Sequence, residues 1–235
     1  MESVTTPEIA DLILLLADNK HQFGLRYAEW ATGAPTLEAA TAAAAMAQAE
    51  LGHARALLPL LRDFSTLSSS MADEDRPPQR FARLLDAPFA SWTDFVAANA
   101  LFDVALTTVV VALIESSYAP LRGRAKKIVE EERYHTAHGD GWLRWLGQSG
   151  AGPRAIVVEA IADVWPETLC FFGPHDDPLM ETLHRAGVIA ATPDELRERF
   201  LSHTRTVFER AGLALPATDE LPWARWDAVR RRLRS

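Results

Sequence analysis

Ile9, Leu12, Ile13, Leu16, Phe23 and Tyr27 recur at the three-and-four spacing of an α-helix that buries one face. Thr6 as N-cap, Pro7 at the first helical position and Glu8 in the first turn mark its start, and the loop Thr32-Gly33-Ala34-Pro35 closes it after about Ala31. Thr36 caps a second helix beginning at Leu37. It is rich in alanine from Ala39 to Ala49, which favours helix and lets neighbours approach closely, and Pro59 is expected to kink its last turns. The short connection makes these two helices an antiparallel hairpin. A polar, proline-bearing stretch from Ser68 to Pro78 then reads as a crossover. Ser91 with Asp94 signals a third helix, Trp92 to about Ser117. Tyr118-Ala119-Pro120 reverses the chain into a fourth helical run, from about Leu121 to Trp145.

Two hairpins joined by a crossover predict an all-α fold, a ferritin-like four-helix bundle over residues 1–150. Residues 151–235 are expected to add C-terminal helices and a tail packed on that bundle. Pro153 to about Val164 reads as helix, bent or ended at Trp165-Pro166, and Phe171 to Pro178 reads as loop. Thr192-Pro193-Asp194-Glu195 is a capping box opening a last helix to about Ala211. In the tail, Trp223 and Trp226 are expected to pack against their own domain.

The chemistry-bearing residues fall inside the hairpins. Glu50-Leu51-Gly52-His53 on the second helix and Glu132-Arg133-Tyr134-His135 on the fourth each set a Glu and a His three residues apart, on one helix face. Two such pairs, with a carboxylate from each of the other two helices, are the ligand pattern of bundle di-iron proteins. Asp103, 29 residues before Glu132, is placed to face it across the second hairpin. Carboxylate and imidazole donors suit iron or manganese and oxygen activation. The competing reading is a buried, metal-free hydrogen-bonded network of the same groups. His138, one turn past His135, and Glu29 and Glu115 near helix ends read as surface groups.

Charge and composition exclude several classes. A net charge of −8 and a pI near 5.4 argue against nucleic-acid binding, and Arg230, Arg231, Arg232 and Arg234 read as a solvated helix end. The single cysteine, Cys170, cannot close an internal disulfide and suits a reducing compartment. Met1 to Thr6 carries Glu2 and no basic run, so no signal peptide is expected, and the apolar run Val104 to Ile114 is too short to span a bilayer. The expectation is a cytoplasmic protein with no membrane partner.

Ala34-Pro35-Thr36-Leu37, Glu50-Leu51-Gly52-His53, Ser116-Ser117-Tyr118, Glu131-Glu132-Arg133-Tyr134-His135, Phe172-Gly173-Pro174 and the end Ala211 to Pro216 together resemble the PaaA/PaaC family. These are ferritin-like subunits of the multicomponent oxygenase that epoxidises the ring of phenylacetyl-CoA. The resemblance, over about Asn19 to Pro216, implies either an A-type subunit holding a di-iron centre or a C-type, metal-poor partner that stabilises it. Carried over, Glu50, His53, Asp103, Glu132 and His135 fall on the metal-ligand positions. The first helix departs: a gapless match puts Lys20 where the A-type subunit has a Glu. Asp18 and His21 are the nearby substitutes, although Asp18 lies nearly on the opposite helix face from Lys20.

Three functions stay open. One is a subunit of a di-iron monooxygenase that works on an aryl-CoA thioester, with electrons from a separate reductase and Arg122, Arg124, Lys126 and Lys127 as a candidate groove for the CoA. A second is a metal-free structural subunit of the same complex, with no cofactor. The third is a ferritin-like metal-binding protein without organic substrate. Seven tryptophans and a long second helix without charge from Ala39 to Ala49 further predict a homo- or hetero-oligomer, its partner a second ferritin-like subunit.

Overall fold

The computed structural model describes residues 6–65, 67–218 and 220–234; Met1–Thr5, expected to lack a leader, lie outside them. The first hairpin is α1 (Pro7–Glu29) against α2 (Leu37–Leu57). Thr36 accepts from Ala39 N as a cap should, whereas Thr6 makes no side-chain cap and leaves the start of α1 to Pro7 and Glu8. Pro59 does not kink α2 internally: the α-helix stops at Leu57 and tightens into a 3-10 turn over Leu58–Asp63.

The third rod, Trp92–Val111, is α3 (Trp92–Ala97), a π-helical stretch (Ala98–Asp103) and α4 (Val104–Val111). It ends some six residues before the expected Ser117. It is long and apolar enough to cross a membrane by composition, but 78% of its most apolar window is buried among the other helices, as for a bundle's core helix. α5 (Ala119–Gln148) returns alongside it. Gly139 makes that approach possible, because a Cβ there would lie 2.8 Å from Ala100 Cα in the π stretch. The four rods form the all-α, ferritin-like bundle, with Phe23, Tyr27, Phe95, Phe102 and Leu106 in its core.

Beyond the bundle, α6 (Ala151–Cys170) continues past Pro166, so it does not end near Val164. Proline costs only the hydrogen bond to Ala162 O, and Val164, Trp165, Thr168 and Leu169 buried on either side hold the helix together. α7 (Pro178–Arg185), capped by Asp177, lies in a stretch without a predicted helix. α8 (Pro193–Ala211) has the expected capping box and ends at Gly212, left-handed at φ +69°. α6 packs on α3 and the π stretch, and α8 on α5.

The tail is not a helix end. Trp226–Asp227 and Arg232–Leu233 form a two-stranded antiparallel hairpin. Arg231, expected to be solvated, is 3% exposed and holds Asp177 Oδ2 at 2.7 Å, while Arg232 grips both oxygens of Asp86. Trp223 lies under Arg197 of α8, whereas Trp226 lies under Arg231 of the tail itself.

Candidate functional site

Each rod sends its chemistry inward. Lys20 from α1 is fully buried, and its Nζ lies 2.6 Å from Glu132 Oε1, 2.8 Å from Glu50 Oε1 and 3.1 Å from Asp103 Oδ1. The three contacts use all three ammonium hydrogens. Glu50 comes from α2, Asp103 from the end of the π stretch, and Glu132 from α5. His135 Nδ1 sits 3.1 Å from Asp103 Oδ2 and 3.2 Å from Glu50 Oε1. His53 turns the other way: Nε2 meets Glu131 Oε2 at 2.8 Å, and Nδ1 lies 3.1 Å from Glu132 Oε1, close enough for attraction but out of line for a hydrogen bond. The predicted residues Glu50, His53, Asp103, Glu132, His135 and Lys20 therefore share one buried cluster.

Asp18 does not join them. Its carboxylate accepts from Gln79 N at 2.8 Å and Arg80 N at 2.9 Å and pairs with Arg76, and neighbouring Asn19 accepts from Ala82 N, so these two residues anchor the crossover instead. Two positions along a helix is a rotation of some 200°, which explains why Lys20 and Asp18 face different neighbours. His21 is half-buried and outside the cluster. His138 is half-buried rather than at the surface, with Nδ1 3.0 Å from Asn99 Oδ1.

Three participants escaped the sequence reading. Tyr27 donates to Asp103 Oδ2 at 2.8 Å, Asn99 donates to Tyr27 Oη at 3.2 Å, and Thr107 donates to Glu132 Oε2 at 2.9 Å. Each lies one or two turns from a predicted residue on the same helix face, at Lys20 plus seven, Asp103 minus four and Asp103 plus four. That spacing was the available signal.

The electrostatics follow from three carboxylates facing two cations, all buried from solvent. Burial alone would lower the Lys20 pKa, but Asp103, Glu132 and Glu50 outweigh it and hold the ammonium charged well above the ordinary lysine range. Burial likewise opposes the charge on His135, and its hydrogen bonds to Asp103 and Glu50 push it up to about 10. Against their own burial, Glu132 is held well below the usual carboxylate range by Lys20 and His53, and Asp103 is lowered by Lys20 and His135. Glu50 takes the remaining proton: burial raises it to about 7 despite Lys20. Its Oε2 is the carboxylate oxygen of the cluster without a partner.

Glu50, Asp103, Glu132 and His135 offer donor atoms within 4.8 Å of one another, a set chemically suited to a metal ion. The arrangement nevertheless does not fit a di-iron centre. The Lys20 ammonium sits among the three carboxylates where a cation would bind, the first helix supplies no carboxylate, and Asp18 is committed elsewhere. The cluster is nearly charge-balanced by the chain itself.

A helical bundle whose four rods converge on one buried cluster, a lysine from the first and carboxylates and histidines from the other three, defines a ferritin-like protein. The chain belongs to the PaaA/PaaC family, phenylacetic acid catabolic protein, which it matches over residues 1–229. It is similar to the A-type subunit of 1,2-phenylacetyl-CoA epoxidase from Escherichia coli (strain K12), at 30% identity over 196 residues. That match covers 81% of this chain and 62% of the relative, so the chain spans less than two thirds of that protein's length.

Proposed function

We propose that this protein is a metal-free, ferritin-like structural subunit of a multicomponent oxygenase in phenylacetate breakdown. The observation that carries the reading is Lys20 Nζ, bonded to carboxylates from the other three rods. A lysine ammonium does here what a bridging cation does in a catalytic subunit: it neutralises carboxylates that would otherwise be costly to bury, and so lets the bundle close. The relative's name supports the pathway and the membership of a complex. The substrate, an aryl-CoA thioester, and the reductase would then belong to companion chains. A lone buried thiol, Cys170, suits the cytoplasm.

A second reading, a di-iron catalytic subunit, is favoured by the donor set and by the likeness to an A-type subunit, and requires Lys20 to swing out of the cluster. Elemental analysis of protein expressed in iron-rich medium separates the two. Substoichiometric iron, together with co-purification of a co-expressed catalytic-type subunit, is expected; two irons per chain would overturn the structural-subunit reading.

A further inference from the structure

α2 and α5 run antiparallel, and their outer faces form one strip. At one end Arg124 Nε donates to Ala56 O at 3.2 Å, in the middle His53 meets Glu131, and at the other end Pro35 and Thr36 share a hollow with Trp142 and Trp145. Gly123, Lys127, Tyr134, Gly141 and Trp145 recur along α5 at the spacing of one helix face, whereas Arg144 turns away toward Val207 of α8. On α2 the exposed positions between Glu38 and Arg55 are Thr41, Ala44, Ala45 and Gln48, all uncharged.

The two ends of the strip are unlike. One carries Trp145, 57% exposed, and the exposed Glu38. The other has Gly52, Ala56 and Gly123 around a hollow of about 460 Å³, bordered by Arg124 and Lys127. Among the described residues Glu38, Arg124 and Lys127 have no ion-pair partner. Each end therefore offers what the other lacks: a bulky ring for a hollow, and a carboxylate for two cations. A surface that complements itself end to end fits a second copy of the same chain, because a two-fold contact makes each pairing twice.

Complementarity also selects the axis. Gly123 and Trp145 are each eleven residues from Tyr134, and Glu38 and Arg55 are equally far from the midpoint of Ala45 and Gln48. Measured from the Ala56–Arg124 contact, that midpoint and Tyr134 are both about ten residues along, so one line crosses the two helices at the same level. A two-fold axis on that line lays α2 on α2 and α5 on α5 antiparallel. It sets Trp145 over Gly123 of the second copy, Glu38 toward its Arg124 and Lys127, and Tyr134, 64% exposed, beside its own copy. An axis running along the strip would instead face Arg55 with Arg124 and Lys127, like charge on like. From Gly123 to Trp145 the strip is about 33 Å long and, across two helices, about 20 Å wide, so roughly 1,300 Å² is covered over both copies, within the range of specific interfaces.

We propose that the outer strip of α2 and α5 is a two-fold interface between two copies of this chain. It is independent of what the buried cluster holds. Sedimentation of the purified chain at micromolar concentration should give a species of twice 26.0 kDa. Trp145→Ala should raise the dimer dissociation constant about tenfold or more. Arg124→Glu with Lys127→Glu should also weaken the dimer about tenfold, since each change counts twice. Glu38→Lys should weaken the parent dimer yet restore most of the affinity of that double variant, which a damaged fold would not do. A monomer throughout, including one whose strip is covered by a co-expressed catalytic-type subunit, would overturn the proposal. So would a dimer indifferent to Trp145→Ala, or one that Glu38→Lys fails to rescue. Iron content should be the same in all these variants, so failure here leaves the structural-subunit reading standing.

Discussion

Tyr27 Oη donates to Asp103 Oδ2 at 2.8 Å and simultaneously accepts from Asn99 Nδ2, so one hydroxyl ties the first rod to the π-helical stretch of the third. Tyr27→Phe removes both bonds while keeping the ring between Phe23 and Phe95. A buried carboxylate oxygen and a buried amide each lose a partner, a loss of about 1–3 kcal/mol. Urea unfolding measures it, and a variant as stable as the parent chain would show that the hydroxyl is not needed.

Lys20→Met should cost about 3–5 kcal/mol, since it leaves Glu50, Asp103 and Glu132 buried without their counter-charge. Combining it with Glu50→Gln, Asp103→Asn and Glu132→Gln should recover most of that loss, because the charges then disappear together. Lys20→Glu is expected to melt lower than the parent in chelator and to gain thermal stability on addition of ferrous iron. The parent should show no such gain, and iron stabilising both equally would contradict the role given to the ammonium.

The cluster also sets a pH dependence. Glu50, raised from an ordinary 4.5 to about 7, holds its proton more tightly folded than unfolded, so its contribution is lost as pH rises through 7. His135, raised from 6.5 to about 10, contributes fully below 6.5 and loses that contribution as pH rises to 10. Asp103 and Glu132 are lowered and act oppositely, losing their stabilisation in acid. Stability, followed as the melting temperature, should peak near pH 5 and fall toward pH 10, the unfolding free energy changing by at most about 1.4 kcal/mol per pH unit for each proton released. A series of thermal melts checks this, and His135→Gln should flatten the arm above pH 7.

Asp18→Ala should release the crossover without touching the cluster. Gln79 N and Arg80 N lose their acceptor and Arg76 its partner, a cost of about 2–3 kcal/mol. Limited proteolysis should then cut between residues 70 and 82 faster than in the parent chain, while metal content stays the same.

The bundle was legible because its signals are local and redundant. Caps at Thr36 and Ser91, alanine content and two Glu-x-x-His pairs each depend on a few neighbouring residues. The two Glu-x-x-His pairs were legible by the same spacing, and Lys20 only through the family resemblance, which sets it on a Glu position of the first helix. The π stretch left no mark, since the extra residue in its turn is a response to packing between Ala100 and Gly139, 39 positions apart. Pro166 misled because the burial that carries α6 past it comes from other helices, and Arg231 misled because Asp177, its reason for being buried, lies 54 residues away.

Lysine and glutamate codons differ by a single base, an A-to-G change in the first position, so Lys20, on which the structural-subunit proposal rests, is one mutation from a glutamate. What guards against that mutation is folding: a newly made chain with a glutamate at position 20 would bring a fourth carboxylate to a site that three already crowd, and would mature only where iron was at hand during synthesis. On the structural-subunit proposal, the ammonium would free the bundle from any dependence on metal supply, and the chain could be produced ahead of, and in excess over, iron-loaded companions. Abundance under iron starvation, rather than activity, is where that difference would be felt.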